Sequence, residues 1–335
     1  MSTFRTSGEQ GDCLYMLPIL RALGGKHSIY LVDRVLVPPF SRPITPLRGF
    51  MEEFITSQSY IKELICTEDE PDFDMSKFRS FHEQSKTLVN AQVAYFNSIS
   101  EIKVDEDGSE PWLNVGGRTP SKRIVIARSS RYNNSEFPWK EIVTHYGERI
   151  QFIGLPHEHK AFVKSFGAVE HAKVETLLEM ARLINNADLF IGNQSAPLAV
   201  AIGLGGPVIE EVFIHQPDCI FPRRGIQYCY DGSCILPDFS GSGRLAIESK
   251  MKVNLDVSTN IVPPGLWQYP GAQSSGHIGE VIKIAAQLDS VNLKEAKDRV
   301  LSHNINRCPS FYSGSFSNGH QAVELAFESA KMAHF

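Results

Sequence analysis

The 335-residue chain lacks several features that would fix its class at once. No apolar run approaches the roughly 18 residues a membrane-spanning helix needs. No basic stretch followed by an apolar core opens the sequence, so no signal peptide is expected. Positive charge is not in excess: the net charge of −5 gives no overall basic field for nucleic acid, although it leaves room for a local basic cleft. Cys-x-x-Cys pairs are absent. The six cysteines stand at 13, 66, 219, 229, 234 and 308, and the loose group 219, 229, 234 fits no zinc spacing. They read as small buried residues of a reducing, cytoplasmic protein, and no metal or cofactor is expected. There is no phosphate loop and no Gly-x-Ser-x-Gly. Gly203-Leu204-Gly205-Gly206 falls short of a dinucleotide fingerprint and follows a helix pattern. No repeat of solenoid period occurs. With 42% hydrophobic and 21% charged residues, an ordinary soluble chain of about two domains remains.

What is present is an alternation of strand and helix patterns. A short strand from Thr3 runs into a glycine-bearing loop that ends on Gly11-Asp12, and an apolar helix follows. Ser28–Val32 and Ile61–Cys66 read as strands. Residues 46–57 read as a helix with Leu47, Phe50, Met51 and Phe54 on one face, and 76–97 as a longer helix. Composition then turns acidic and afterwards rich in glycine and proline over 104–120, which marks a boundary. Beyond it, strands are expected at 123–127, 150–153, 189–192 and 207–212. Helices are expected at 138–146, 158–166, 174–186 and 195–204. Residues 213–275 read as irregular surface structure, and helical patterns return at 278–288, 293–301 and 320–332. Alternation of this kind implies α/β architecture with parallel sheets, here two facing Rossmann-like domains with a ligand cleft between them. The division is 1–118, 119–290 and a helical tail, 291–335, that packs back on the first domain.

In such sheets ligands bind in the loops at the carboxyl ends of strands, and four segments lie there. Asp12 follows the first strand, where an aspartate either caps the helix or takes a proton as general base. Gly8, Glu9, Gln10 and Gly11 line the same loop. Arg128, Ser129, Ser130 and Arg131 follow the 123–127 strand; two guanidiniums and two hydroxyls suit a pyrophosphate, or else a solvated turn. Glu158 follows the next strand, where a carboxylate can hold ribose hydroxyls; His157 and His159 flank it without a convincing metal pattern. Asn193, Gln194 and Ser195 join a strand to a helix whose first N–H groups can face phosphate.

Together these segments resemble the lipopolysaccharide heptosyltransferase-like glycosyltransferases, whose fold is called GT-B. The resemblance covers the first 30 residues and about 120–215. Gly11-Asp12 followed by Leu17-Pro18-Ile19-Leu20-Arg21-Ala22-Leu23 matches the family's aspartate and helix. Gly192-Asn193-Gln194-Ser195-Ala196-Pro197 matches its Gly-Asn-Asp-Ser-Gly-Pro, with Gln194, Ala196 and Ala199 standing where the family has an acid, a glycine and a histidine. The resemblance implies a nucleotide-sugar donor in the second domain, an acceptor in the first, Asp12 as base, and inverting, metal-independent transfer. The acceptor implied is a glycan such as lipopolysaccharide, or a hydroxymethylated base in viral DNA. Two other readings keep the fold: a nucleotide-sugar epimerase, and a sugar-nucleotide binding protein without catalysis. Asp72-Phe73-Asp74 and Asp105-Glu106-Asp107 spell Asp-x-Asp but read as solvated acidic linkers, and Arg223 and Arg224, which could add charge to the donor cleft, read rather as surface residues.

Overall fold

A computed structural model describes residues 1–6, 9–31, 44–84, 87–121, 123–213, 218–221, 223, 225–229, 234–237, 239 and 244–247. The expected tail and the helices at 278–288, 293–301 and 320–332 lie outside the described residues. Among the described residues no helix is long and apolar enough to cross a membrane.

The first half is a parallel sheet of order β3-β2-β1-β4, formed by β1 (Thr3–Arg5), β2 (His27–Leu31), β3 (Ile61–Cys66) and β4 (Phe73–Asp74). The chain builds outward from β1 to β3, then returns to set β4 on the other side of β1. Helix α1 (Gln10–Leu23) follows β1 and is buried from Asp12 to Leu20. Pro18 lies inside it and has no N–H to give the carbonyl of Leu14. The indole Nε1 of Trp112 donates to that carbonyl instead, at 3.0 Å. Helix α2 (Ile44–Thr56) covers β3.

The helix expected over 76–97 is two elements. A 3-10 segment, Met75–Gln84, precedes α3 (Leu88–Ile99). Thr87 caps α3 from an extended backbone, its hydroxyl oxygen accepting the N–H of Asn90 at 3.0 Å, and this ends any continuous helix.

The 100–121 stretch has no regular element, yet Val104, Trp112 and Leu113 are buried. It is stitched into both halves. Arg21 of α1 pairs with Glu106 at 3.0 Å, and the hydroxyl of Tyr60 donates to the carbonyl of Trp112. The N–H groups of Trp112 and Leu113 both donate to the carbonyl of Gly203, at 2.9 Å each. Gly203 lies in the last turn of α7 (Ala196–Leu204), where carbonyls have no helical partner.

The second sheet is wholly parallel, of order β10-β9-β8-β5-β6-β7. Its strands are β5 (Ile124–Ala127), β6 (Ile150–Ile153), β7 (Glu170–Ala172), β8 (Leu189–Asn193), β9 (Val208–Glu211) and β10 (Ile226–Cys229). Helices α4 (Trp139–Tyr146), α5 (Pro156–Phe166) and α6 (Leu177–Asn186) complete the crossovers with α7. Continuous apolar strands reflect burial on both faces. Val125, Phe190 and Val208 join the core that also holds α1, α7 and the first sheet, whereas Ile124, Ile126, Ile191 and Ile209 pack on Trp139 and Phe162. Residues 213–275 are not simply irregular surface. β10 extends the sheet with Tyr228 and Cys229 fully buried, and β11 (Cys234–Pro237) pairs with β12 (Arg244–Ile247).

A Cβ on Gly203 would collide with the Leu113 side chain and meet Trp112 at 3.1 Å. Gly203→Ala is expected to cost about 1–3 kcal/mol through overpacking, read as a lowered urea midpoint at unchanged slope. Gly206→Ala, where a Cβ meets nothing within 4 Å, should stay within about 0.5 kcal/mol of wild type.

Candidate functional site

Each sheet reverses its direction of growth once, and the loops on either side of a reversal diverge to leave a crevice at the strand ends. In the first sheet the reversal lies between β1 and β4, and in the second between β5 and β8. The residues singled out at β1, β5 and β8 sit at these two points.

At the first point, α1 begins at Gln10 with Glu9 in the cap position, so Gly11 and Asp12 lie in the helix's first turn rather than in the loop before it. Glu9, Gln10 and Gly11 are half-buried, and Gly8 lies outside the described residues. A Cβ on Gly11 would meet nothing within 4 Å. Asp12 is buried, and Nη2 of Arg79 donates to both its carboxylate oxygens, at 2.8 and 3.0 Å. Gln92 of α3 donates to the Asp12 carbonyl at 2.7 Å. Arg79 comes from the 3-10 segment after β4 and is half exposed. Burial lowers its affinity for a proton. Asp12, by charge and hydrogen bond, with the fields of Asp218 and Tyr132, more than reverses this and holds the guanidinium above its ordinary value. The sequence offers no pointer to Arg79, which its pattern places within one long helix.

At the second point, Asn193 is wholly buried and organises the loop after β5. Its Nδ2 donates to the carbonyls of Ser129 (3.2 Å) and Arg131 (2.6 Å) and to Oδ1 of Asn133 (3.0 Å). Its Oδ1 accepts the Ser129 N–H at 3.0 Å. The loop carries Tyr132 at φ 55°, the one non-glycine residue with positive φ among the described residues, with its ring edge-on to Phe213 at 5.7 Å. Such strain concentrates at ligand sites and persists where surrounding bonds enforce it. Gln194 accepts the Phe213 N–H at 3.0 Å and donates to Oδ1 of Asp218 at 2.8 Å. Ser195 occupies the cap position of α7, but its hydroxyl donates back to the Asn193 carbonyl at 3.0 Å and makes no cap bond to the helix N–H groups.

Arg128 is held by a buried carboxylate. Its Nε and Nη2 each lie 2.9 Å from an oxygen of Glu211, which also accepts from Trp139 Nε1 and the Asn134 N–H, both at 2.8 Å. Burial raises the Glu211 carboxyl, and the Arg128, Trp139 and Asn134 contacts oppose this. Nη1 of Arg128 takes no part in the pair. Glu158 sits in the first turn of α5 and accepts the Leu155 N–H at 2.9 Å.

Glu210 faces the other side of β9, toward Tyr15 of α1. It is fully buried, and neither oxygen has a hydrogen-bond partner among the described residues. Burial, then the Asp218 charge, pushes its carboxyl well above the usual range. Tyr15, Cys219 and Tyr228 close this region and are likewise raised, chiefly by burial. Arg223 is not the surface residue expected: its guanidinium nitrogens are buried and have no partners among the described residues, and burial lowers its pKa. Arg224 lies outside the described residues. In the acidic linkers, Asp72 accepts the Thr3 N–H at 2.8 Å, and Asp74 lies 3.7 Å from Arg5, so both stabilise the first sheet's edge.

Arg128→Ala would strip Glu211 of its charge partner. A loss of about 3 kcal/mol or more is expected in denaturant unfolding at pH 7, with part recovered in Arg128→Ala/Glu211→Gln, which leaves no buried charge. Glu210 supplies a pH signature. The unfolded chain ionises it near the ordinary glutamate value, about 4.3, whereas the native state keeps the proton to higher pH. Its contribution is therefore complete below the unfolded value and falls as pH rises, by up to about 1.4 kcal/mol per unit, until the native carboxyl also ionises. Glu210→Gln has no proton to lose. It should match wild type near pH 4 and become progressively more stable than wild type toward pH 8, and parallel curves would refute the burial argument.

No family model matches the chain, and none of the curated proteins does. Among solved structures it is similar to the E. coli heptosyltransferase WaaC with ADP-2-deoxy-2-fluoro heptose, at 14% identity over 69% of this chain and 93% of that one, TM-score 0.47. It is also similar to E. coli ADP-heptose lps heptosyltransferase II, at 13% identity over 71% and 92%, TM-score 0.42. A glycosyl transferase family 9 structure from Veillonella parvula is similar at 12% identity over 68% and 86%, TM-score 0.44.

Proposed function

We propose that the chain is a two-domain GT-B glycosyltransferase that moves a sugar from a nucleotide-sugar to an acceptor hydroxyl, with inversion and without a metal. One observation carries this: two parallel sheets reverse at strands whose ends bear complementary chemistry. The first bears a buried aspartate, the second a loop of hydroxyls and guanidiniums beside a helix start that its cap serine does not bond.

In this reading residues 1–118 hold the acceptor, a glycan, against Gly8, Glu9, Gln10 and Gly11. Residues 119–290 hold the donor. Ser129, Arg131, Ser195 and the N–H groups of α7 face the diphosphate, with Nη1 of Arg128 beside them. Asn193 and Gln194 act through the loops they hold, and Glu158 lies toward the nucleoside. Asp12 takes the acceptor's hydroxyl proton as that oxygen attacks the anomeric carbon. The bond from that carbon to the diphosphate breaks, and the diphosphate leaves with the electron pair, its charge met by preorganised donors.

A nucleotide-sugar panel screened by thermal shift identifies the donor, since a ligand that binds only the native state raises its melting temperature. With that donor, in EDTA, wild type should transfer sugar. Asp12→Asn should keep the donor-induced shift and lose transfer by on the order of 100-fold or more. Near-normal turnover in Asp12→Asn, or wild-type transfer that needs added manganese or magnesium, would sink this mechanism.

A further inference from the structure

The two reversal points are joined by hydrogen bonds that meet on α3. Gln92 is buried there, and its Nε2 donates to the backbone carbonyl of Asp12 at 2.7 Å. That carbonyl lies in the first turn of α1, so holding it holds the point from which the Asp12 side chain springs. Leu88 stands four residues before Gln92, one turn away on the same side of α3. Its N–H belongs to the first turn and has no partner within the helix. The Asp218 carbonyl, from the segment after β9, accepts it at 2.8 Å. Oδ1 of Asp218 in turn accepts from Nε2 of Gln194 at 2.8 Å, and Oε1 of Gln194 accepts the Phe213 N–H at 3.0 Å. Gln194, directly after β8, thus grips the segment after β9 at Phe213 and again at Asp218.

Burial makes these bonds hard to give up. Leu88, Gln92 and Gln194 are all buried, and a buried donor or acceptor that loses its partner costs more than the bond itself is worth. In the proposed reaction the spacing they hold is the one that matters. The base and the donor are carried by different sheets, yet base, acceptor hydroxyl and anomeric carbon must stand in one arrangement. A misplacement of about 1 Å can cost on the order of 100-fold in rate.

We infer that Gln92 and Gln194 are positioning residues of the transfer reaction: through Asp218 and the first turn of α3 they set Asp12 at a fixed place relative to the turn that starts α7. This rests on the reading of Asp12 as base and of the second half as donor site. A shift of the α7 turn is carried by Gln194 to Asp218, by Asp218 to the start of α3, and by Gln92 to the start of α1. Neither amide touches a reacting atom. An amide suits the task, because it donates to a carbonyl or a carboxylate without placing a charge beside Asp12.

Hydrogen exchange read by mass spectrometry tests this on the full chain without ligand, in wild type, Gln92→Leu, Gln194→Leu and the double variant. Gln194→Leu should speed exchange about 10-fold or more over residues 88–92 and also over 13–17, at the start of α1, while β6 keeps its wild-type rate. In the Gln92→Leu background, Gln194→Leu should still loosen 88–92 but add nothing at 13–17. Glutamines that merely pack would loosen their own surroundings and show no such dependence. Where a leucine variant does not fold, Gln92→Asn and Gln194→Asn, which withdraw the amide by one methylene, take its place. Exchange at 13–17 that ignores Gln194→Leu, or that rises equally with and without Gln92, overturns the inference. Turnover with the donor found by thermal shift is the second readout. Gln92→Leu should lower kcat about 10-fold or more and leave the donor's dissociation constant within about 3-fold of wild type. A loss confined to donor binding also overturns the inference. Normal turnover in Asp12→Asn, with the exchange pattern as expected, instead overturns the reading of the base and leaves the link between the two reversal points standing.

Discussion

The indole of Trp112 ties the molecule's two sheets to each other. Pro18 deprives the Leu14 carbonyl of its helical partner, and Trp112 supplies the missing donor. The same residue donates its backbone N–H to Gly203 at the end of α7 and accepts from Tyr60 just before β3. Its ring lies among Tyr15 of α1 and Phe221. α1 and α7 are the helices that start at the two reversal points, and Trp112 joins them, meeting α1 at Leu14 and α7 at Gly203 in its last turn. A proline inside a helix would ordinarily cost about 3 kcal/mol. Here the gap it leaves is a docking point, and the segment that docks is the one that links the two sheets.

Three carboxylates near the strand ends show how context sets charge. Asp12 and Glu211 are buried but meet a guanidinium, and each partner is anchored on a different element from its acid. Glu210 adjoins Glu211 in sequence, yet the pleat turns it to the opposite face, where no donor reaches it. Desolvation of an unpaired carboxylate costs several kcal/mol, and burial accordingly pushes the Glu210 carboxyl well above its usual range.

The strands are the most legible elements. Ile61–Cys66 and Ile150–Ile153 can be read to the residue: Ile, Leu and Phe recur within each, and Gly154 closes the second. The break at Thr87 is hidden, since Phe78, Phe81 and Leu88 keep a helical spacing across it and the cap is a single hydroxyl. β10 is hidden by its surroundings: Ile226-Gln227-Tyr228-Cys229 is four residues in a proline- and glycine-rich stretch, and only its pairing with β9 makes it a strand. The residues chosen after β1, β5 and β8 lie beside the reversal points, because parallel topology sends every such loop to one edge, whereas Glu158 follows β6, away from them. What their side chains touch is not legible. Arg128 meets Glu211 across 83 positions, and Arg79 meets Asp12 across 67, and no local pattern encodes either.

The departure at position 194 from the resembled pattern follows from one distance. Gln194 places its amide nitrogen 2.8 Å from Asp218 Oδ1. A carboxylate at 194 would set two anions at that separation, and one would have to keep a proton. An amide removes the conflict, donating to Asp218 and accepting from the Phe213 N–H with the same side chain. The negative charge usual at 194 therefore has a counterpart at 218, on the loop beyond β9. Its charge also helps hold the Arg79 guanidinium above its ordinary value, after the larger effect of Asp12. The amide at 194 and the acid at 218 are one arrangement, joined by that hydrogen bond.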